Sequence, residues 1–431
     1  MVVGKTNIES NEQVSLHARY RKTTLTNGIR IVTEEIPYVR SVSLGVWIDV
    51  GSRDEDSRNN GITHFIEHML FKGTVRYSNQ QIARSLESVG GYLNAFTTKE
   101  HTCFYARVLD EHVAKAIDVL SDLVLAPVFP KKEIEKEKQV VLEELKNLED
   151  DPDDLIHDYL DTRIYNKHPI GFPIIGNAGN IKRFNRDQLL LHMQQHFTTQ
   201  NIVVAAAGNL KHEEMVSLVD AYFKIAKRRS SRQVRKVVPK RGVSLSDTFE
   251  KPISQAYVCL GTLGYSIKDP MRYPLLLLNT LLGEGMSSRL FQNIREKYGF
   301  AYAVYSFVNL MSDTGSFGVY IGTDNQTISR SVDLIYKELQ KLKSKPVGTS
   351  ELRRTKAQMK GNMMLGLENM SNRMMRLGSG ELYLGDYLSL EEVLRNIEAV
   401  TSDQIQRVAT TLFNFDNFST VIFKSKNGTP S

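Results

Sequence analysis

Two histidines stand four residues apart in the stretch Gly61-Ile62-Thr63-His64-Phe65-Ile66-Glu67-His68-Met69-Leu70-Phe71-Lys72-Gly73. On a helix that spacing projects both imidazoles from one face, one turn above the other. Such a pair can hold one zinc ion at about 2.0–2.1 Å per nitrogen. Glu67, three residues after His64, falls on the same arc, within reach of a water at the metal. The order His-x-x-Glu-His is the inverted form of the commoner zinc-protease motif. A histidine pair at this spacing also occurs on ordinary helices, so the reading calls for a further ligand, because a catalytic zinc takes three from the protein and keeps one position open.

The elements that must position these groups can be read around them. Ile62, Phe65, Ile66 and Met69 form a neighbouring apolar stripe that would anchor the motif helix in a core. A second helix is predicted over 131–149 (KKEIEKEKQVVLEELKNLE), starting just after Pro130. Its apolar stripe runs through Ile134, Val141, Leu145 and Leu148, with Glu137 and Glu144 bordering it. Carboxylates beside a buried face need compensation, which a zinc ion carrying two histidines would supply, and Glu144 is the candidate ligand. The plain alternative, a solvated acidic helix, fits Glu133, Glu135 and Glu143.

These residues resemble the inverzincin zinc peptidases, the family of pitrilysin, insulysin and the mitochondrial processing peptidase β subunit, and most of all its short bacterial members. The family's glutamate ligand sits in a Val/Ile-Leu-x-Glu segment well downstream of the histidine motif. Here 75 residues lie between His68 and Glu144, and the segment reads Val141-Leu142-Glu143-Glu144. The resemblance implies one zinc per chain on His64, His68 and Glu144. It makes Glu67 the base that takes the proton of an activated water and returns it to the leaving amine, with Glu137 as an auxiliary acidic residue. It further implies that Asn94 and Ala95 lie on a strand to which an extended peptide adds as a new edge, and that Arg295 and Tyr302 contact substrate from the second half. Edge addition reads backbone hydrogen bonds, so the substrate class would be peptides and unfolded protein segments, with loose specificity.

The wider chain fits an α+β protein in two homologous units, each an antiparallel-rich sheet covered by helices, duplicated along the sequence as half of a clam-shell chamber. The expected organisation is an N-terminal extension (1–18), a catalytic domain (19–226), a basic linker (227–247) and a homologous inactive domain (248–431). In the first half, strands are expected at 29–32 and 41–50, the latter alternating apolar and polar, and a hairpin over 92–108. Helices are expected at 79–89, 111–125, 185–196 and 211–226. The segment 150–154 (DDPDD) reads as a helix cap followed by a solvated turn. In the second half, helices are expected at 273–282, 328–342, 402–412 and, as one long element, 350–376. Methionines 359, 363, 364, 370, 374 and 375 would mark an adaptable packing face.

Composition narrows the classes. The 431 residues are 41% hydrophobic and 24% charged with net charge +6, as in ordinary globular proteins. Neither a membrane span nor a basic, aromatic-studded nucleic-acid face is evident. Residues 1–18 have no apolar core, so a secretory signal is not expected. Two cysteines, Cys103 and Cys259, form no disulfide framework. A cytoplasmic location follows as the expectation, or a mitochondrial matrix if a transit peptide has been removed.

Three readings of function remain. The chain is an active zinc endopeptidase; or a processing-peptidase β-like subunit needing a separate non-catalytic partner; or a non-enzymatic assembly subunit of the same fold. The long relatives carry twice as many copies of the unit, so two short chains would be needed for one chamber. A homodimer is therefore expected, with a heterodimer as the alternative. The segment Gly283-Glu284-Gly285-Met286-Ser287-Ser288 is too short for the inactive partner's glycine-rich loop.

Overall fold

The computed structural model describes residues 13–15, 18–227, 235–238 and 244–426. Most of the expected N-terminal extension and much of the basic linker lie outside these residues. Strands follow in chain order as β1 (Gln13–Ser15), β2 (Ala18–Thr24), β3 (Arg30–Glu35), β4 (Ser41–Ile48), β5 (Tyr92–Thr97), β6 (Thr102–Leu109) and β7 (Ile202–Gly208). The later ones are β8 (Ser246–Lys251), β9 (Ala256–Gly264), β10 (Ala301–Leu310), β11 (Gly315–Thr323) and β12 (Ser419–Ser425). Helices are α1 (Ile62–Leu70), α2 (Asn79–Glu87), α3 (Val113–Leu125), α4 (Lys131–Asp150), α5 (Pro152–Ile164), α6 (Ala178–Arg183) and α7 (Arg186–His196). They continue as α8 (His212–Tyr222), α9 (Arg272–Gly283), α10 (Ile328–Ser344), α11 (Thr349–Gly366), α12 (Met370–Leu384), α13 (Leu390–Ala399) and α14 (Ser402–Leu412).

The described residues fall into two compact units. One draws on 1–145, 173–235 and 365–391, the other on 146–172, 236–364 and 392–431. The first holds a sheet in the order β1-β2-β3-β7-β4-β6-β5, the second a sheet in the order β10-β11-β9-β12-β8. Five strands of each correspond: β3 lies parallel to β7 as β8 does to β12, and the other pairings are antiparallel. The duplicated α+β architecture is therefore present strand for strand. Each sheet ends on an equivalent edge strand, β5 in the first unit and β10 in the second.

In the first unit, α12 covers one sheet face. Met374 and Leu377 pack with Trp47, Cys103, Val203 and Ala205. Buried ion pairs pin the helix, Arg373 to Glu34 at 3.0 Å and Glu381 to Lys22 at 2.8 Å and to Arg30 at 3.2 Å. Strand β4 does not alternate as expected; every residue from Val42 to Ile48 is buried. Both faces of this central strand are covered, so the solvated face that alternation presumes does not exist. In the second unit α5 plays the part of α12: Leu155, Ile156, Leu160 and Ile164 pack with Tyr257, Cys259, Val421 and Phe423.

Three further expectations are corrected. The DDPDD segment is not a solvated turn, because Asp151 alone separates α4 from α5. Its side chain accepts from Asp153 N at 3.0 Å, and Pro152 occupies the first helical position, where a missing N–H costs nothing. The expected long helix over 350–376 is two helices, since the Asn369 side chain accepts from Ser371 N at 2.8 Å and starts α12 afresh. The methionines accordingly do not share one face: Met359 and Met363 lie against the second unit's core, whereas Met374 and Met375 belong to the first unit's.

Gly378 lies flat on the Trp47 indole, and a Cβ there would come within 2.1 Å of it. Trp47 is fully buried and cannot yield. Gly378→Ala is expected to destabilise the protein by roughly 1–3 kcal/mol, the usual cost of overpacking, seen as a lower Tm in a calorimetric scan; an unchanged Tm would contradict the packing described.

Candidate metal centre

Helix α1 is held in phase by its stripe. Ile62, Phe65, Ile66 and Met69 are all buried, and full burial of such side chains is worth about 1.5–3 kcal/mol each. Rotating the helix would forfeit that, so His64, Glu67 and His68 must occupy the other arc. Its N-terminus is fixed by Glu55, a buried carboxylate accepting from Gly61 N and Thr63 N at 2.8 Å and from Asn60 Nδ2 at 2.9 Å. Burial pushes the Glu55 carboxyl up to about 7, against the pull of those donors and of the Thr63 hydroxyl. Gly61 has φ +98°, and a Cβ there would sit 2.6 Å from the Ile175 carbonyl, so this entry turn requires glycine. From α7, buried His192 places Nε2 3.1 Å from the Thr63 hydroxyl.

His64 and His68 approach Glu144 from α4. His64 Nε2 lies 3.7 Å from Glu144 Oε1, and His68 Nε2 lies 3.5 Å from Glu144 Oε2. These separations are too long for hydrogen bonds. They match the donor spacing of about 3.4 Å that a tetrahedral zinc with bonds of about 2.0–2.1 Å requires. Among the described residues this is the one group of three such side chains close enough to share an ion. The donor set thus fits zinc: two Nε2 atoms and a carboxylate face one point, while Nδ1 of His64 is buried without a hydrogen-bond partner.

The surroundings act oppositely on the two rings. Burial, and then the neighbouring His68, push His64 down to about 3, so the ring is neutral with a free lone pair. Burial works against charge on His68, but the Glu137 hydrogen bond and the fields of Glu144, Glu137 and Glu67 outweigh it and raise the ring. Glu137 accepts from His68 Nδ1 at 2.9 Å and from Lys72 Nζ at 2.6 Å. Burial would raise Glu137, yet those two donors hold it below the usual carboxylate range. The histidine ring orientation is thus set by a carboxylate that is itself held by a lysine, the outer arrangement common around protein metals.

Glu67 sits beside this group. Burial raises its carboxyl, partly offset by the Thr97 hydroxyl, which donates to Oε2, and by His68, while Glu144 adds to the rise. Thr97 ends β5, the sheet's edge strand. Asn94 and Ala95 lie on that strand, with Asn94 Oδ1 accepting from Ala95 N at 2.8 Å and Asn94 Nδ2 donating to the Tyr92 hydroxyl at 2.6 Å. His101, on the turn before β6, is buried against Trp47 and Tyr383 and takes no part in the donor set.

Arg295 and Tyr302 belong to the second unit. Exposed Arg295 lies in a π-helical turn (Phe291–Glu296), its guanidinium 4.9 Å from the Phe291 ring centre. Tyr302 is the extra residue of a β-bulge on β10, between Ala301 and Ala303. Both irregularities are devices that re-aim a side chain and recur near functional sites. The Tyr302 ring lies over Gly322, and its hydroxyl reaches Asp153 at 3.3 Å.

Four contributors escaped the sequence reading. Lys72 had a visible signal, since it follows His68 by four on the same arc, and Thr97 follows from alternation on β5. Glu55 and Asp153 carry no local signal; one acts through a cap seven residues from the motif helix's core, the other across the second unit.

Residues 30–178 match the family described as Insulinase (Peptidase family M16), and residues 183–359 match the Peptidase M16 inactive domain. An uncharacterized zinc protease of Bacillus subtilis, YmxG, is 40% identical over 94% of this chain and 99% of its own length. The chain belongs to peptidase family M16. An uncharacterized zinc protease of Streptomyces coelicolor is 38% identical over 90% of this M16 chain and 86% of its own. The solved structure of a protease from Helicobacter pylori superposes with a TM-score of 0.89 at 22% identity, covering 94% of this chain and 99% of that one. At that identity the likeness speaks for the fold. No helix among the described residues is long and apolar enough to cross a membrane.

His68→Ala is expected to abolish stoichiometric zinc on metal analysis of the purified protein, because two remaining ligands do not make a protein zinc site. Zinc retained at one per chain would remove His68 from the donor set.

Proposed function

We propose that this M16 chain is a zinc-dependent endopeptidase acting on peptides and unfolded protein segments. The observation that carries the reading is that His64 Nε2 and His68 Nε2 lie 3.7 and 3.5 Å from the Glu144 carboxylate oxygens, with all three ligand atoms within 4.8 Å of one another, and with Glu67 on the same helix arc. Zinc held there would supply Lewis acidity and bring the pKa of a water down to about 7. Glu67 does the proton work. Its Oε2 is engaged by Thr97, which leaves Oε1 to take the proton of the attacking water and to deliver it to the leaving amine. His68 is oriented by Glu137, and Glu137 by Lys72.

An extended substrate pairs with β5, where Asn94 and Ala95 offer backbone groups on an unpaired edge; the Asn94 carboxamide must first release Ala95 N. Arg295 and Tyr302 bind substrate, in keeping with a π-turn and a bulge kept in a unit whose described residues include no group of metal ligands. The complete set of His64, Glu67, His68 and Glu144 argues against a non-enzymatic assembly subunit. We further propose one zinc per chain, a homodimer and a reducing, cytoplasmic setting, in keeping with two buried free thiols.

Glu67→Gln keeps the side chain's shape and removes the base. It is expected to retain zinc and to lose about 10²–10⁴-fold in kcat in a fluorogenic peptide assay; near wild-type turnover would sink the assignment. Arg295→Ala combined with Tyr302→Phe is expected to lower kcat/KM with zinc content unchanged. Unaltered kinetics would exclude that pair from substrate contact.

A further inference from the structure

We infer that Thr97 is a positioning residue for the catalytic base, coupling the strand that receives the peptide to the group that moves the proton. The inference rests on the proposed role of Glu67 and goes beyond it. Thr97 is the last residue of β5, and its hydroxyl donates to Glu67 Oε2. The carboxylate otherwise has three rotatable bonds between itself and the helix backbone, and nothing else among the described residues is seen to hold that oxygen. A single donor from a neighbouring element therefore decides which oxygen is free for water.

A positioning role requires that Thr97 itself be rigid, and the turn that follows it is clamped from several sides. Thr98 Oγ1 donates to the His101 carbonyl at 2.9 Å, and Thr98 N donates to the same carbonyl at 2.8 Å, closing the turn. Ser52 N and Arg53 N donate to the carbonyls of Thr98 and Lys99 at 3.2 and 2.8 Å. Gly51 lets these backbones meet; a Cβ there would come within 2.3 Å of the Thr98 carbonyl.

Buried charge completes the clamp. Arg53 pairs with Glu100 at 2.7 Å, both side chains almost wholly inaccessible. Arg235, far along the chain, bonds the Glu100 carbonyl at 2.7 Å, Asp54 at 2.7 Å and Asp49 at 2.9 Å. A buried cation shared by three such acceptors is costly to disturb. The end of β5 is thus one of the better-anchored points of the unit, suited to holding a carboxylate in one rotamer.

The arrangement has a consequence for substrates. A peptide paired along β5 presses on the strand whose last residue holds the base, so docking and base orientation are joined at Thr97. Losing the hydroxyl should affect turnover and spare affinity, the reverse of losing a backbone contact to the peptide.

The test uses the full-length protein, loaded with zinc, and three variants. Thr97→Val keeps the β-branched shape and removes the donor; Thr97→Ser keeps the donor and removes a methyl; Glu67→Gln reports on the base. Zinc content, melting temperature, kcat and KM are measured for each on one fluorogenic peptide. Thr97→Val is expected to keep zinc, fold and KM, and to lose about tenfold in kcat, a part of the 10²–10⁴ that a placed general base supplies. Thr97→Ser should recover to within about twofold. If Thr97→Val keeps its kcat, raises KM alone, or is matched in its loss by Thr97→Ser, the inference is overturned. Should the valine variant fail to fold, the serine variant decides, because full kcat with a single donor retained is then the required result. Near wild-type turnover in Glu67→Gln would instead overturn the proposed function, which keeps the two failures apart.

Discussion

The constraint on which the rest of the first unit depends is the rotational phase of helix α1. Four buried side chains, Ile62, Phe65, Ile66 and Met69, leave one orientation that does not expose apolar surface. Glu55 and the Gly61 turn fix where the helix begins, and a helix with known start and known phase has no remaining freedom to misplace His64, Glu67 and His68. Everything chemical is then added from other elements to a fixed face: Glu144 and Glu137 from α4, Thr97 from β5. The catalytic proposal therefore rests on packing first and on electrostatics second.

Electrostatics finishes what packing begins. The donor set places the neutral ring of His64, the ring of His68 and one carboxylate around a point, and the nearby Glu137 is compensated by Lys72 at 2.6 Å. The outer pair orients His68 while adding no net charge of its own. Glu144 is the most open of the group, its side chain 46% exposed, which keeps one side of the centre accessible to water and peptide. The second unit repeats the sheet without the donors. It instead carries a π-turn at Arg295 and a bulge at Tyr302, irregularities whose cost in regular hydrogen bonding is easiest to understand if the side chains they aim are used.

Much of this was legible in residues alone, for a definite reason. His64, Glu67, His68 and the apolar stripe share one helix, so a period of 3.6 is enough to sort them, and the same holds for Glu137 and Glu144 two turns apart on α4. Strand-by-strand duplication was visible because both halves repeat the same order of apolar runs. What was not legible depended on partners distant in sequence. α5 was hidden because Asp151, Pro152 and two further acids read as a turn, although proline suits the first position of a helix. The break at Asn369 had a local signal in Gly366 and Asn369, set between long apolar side chains, and is fixed by two helices serving different cores. The clamp of Arg235 on Asp49, Asp54 and Glu100 joins residues more than a hundred positions apart, beyond any periodicity.

Anomalous diffraction from crystals of the zinc-loaded protein, collected on either side of the zinc absorption edge, tests the central claim most directly. The account predicts one strong anomalous peak per chain, about 2.0–2.2 Å from His64 Nε2, His68 Nε2 and a Glu144 oxygen, with Glu67 beside it and unbound. A peak elsewhere in the chain, or none at this point in protein shown to contain zinc, would contradict it.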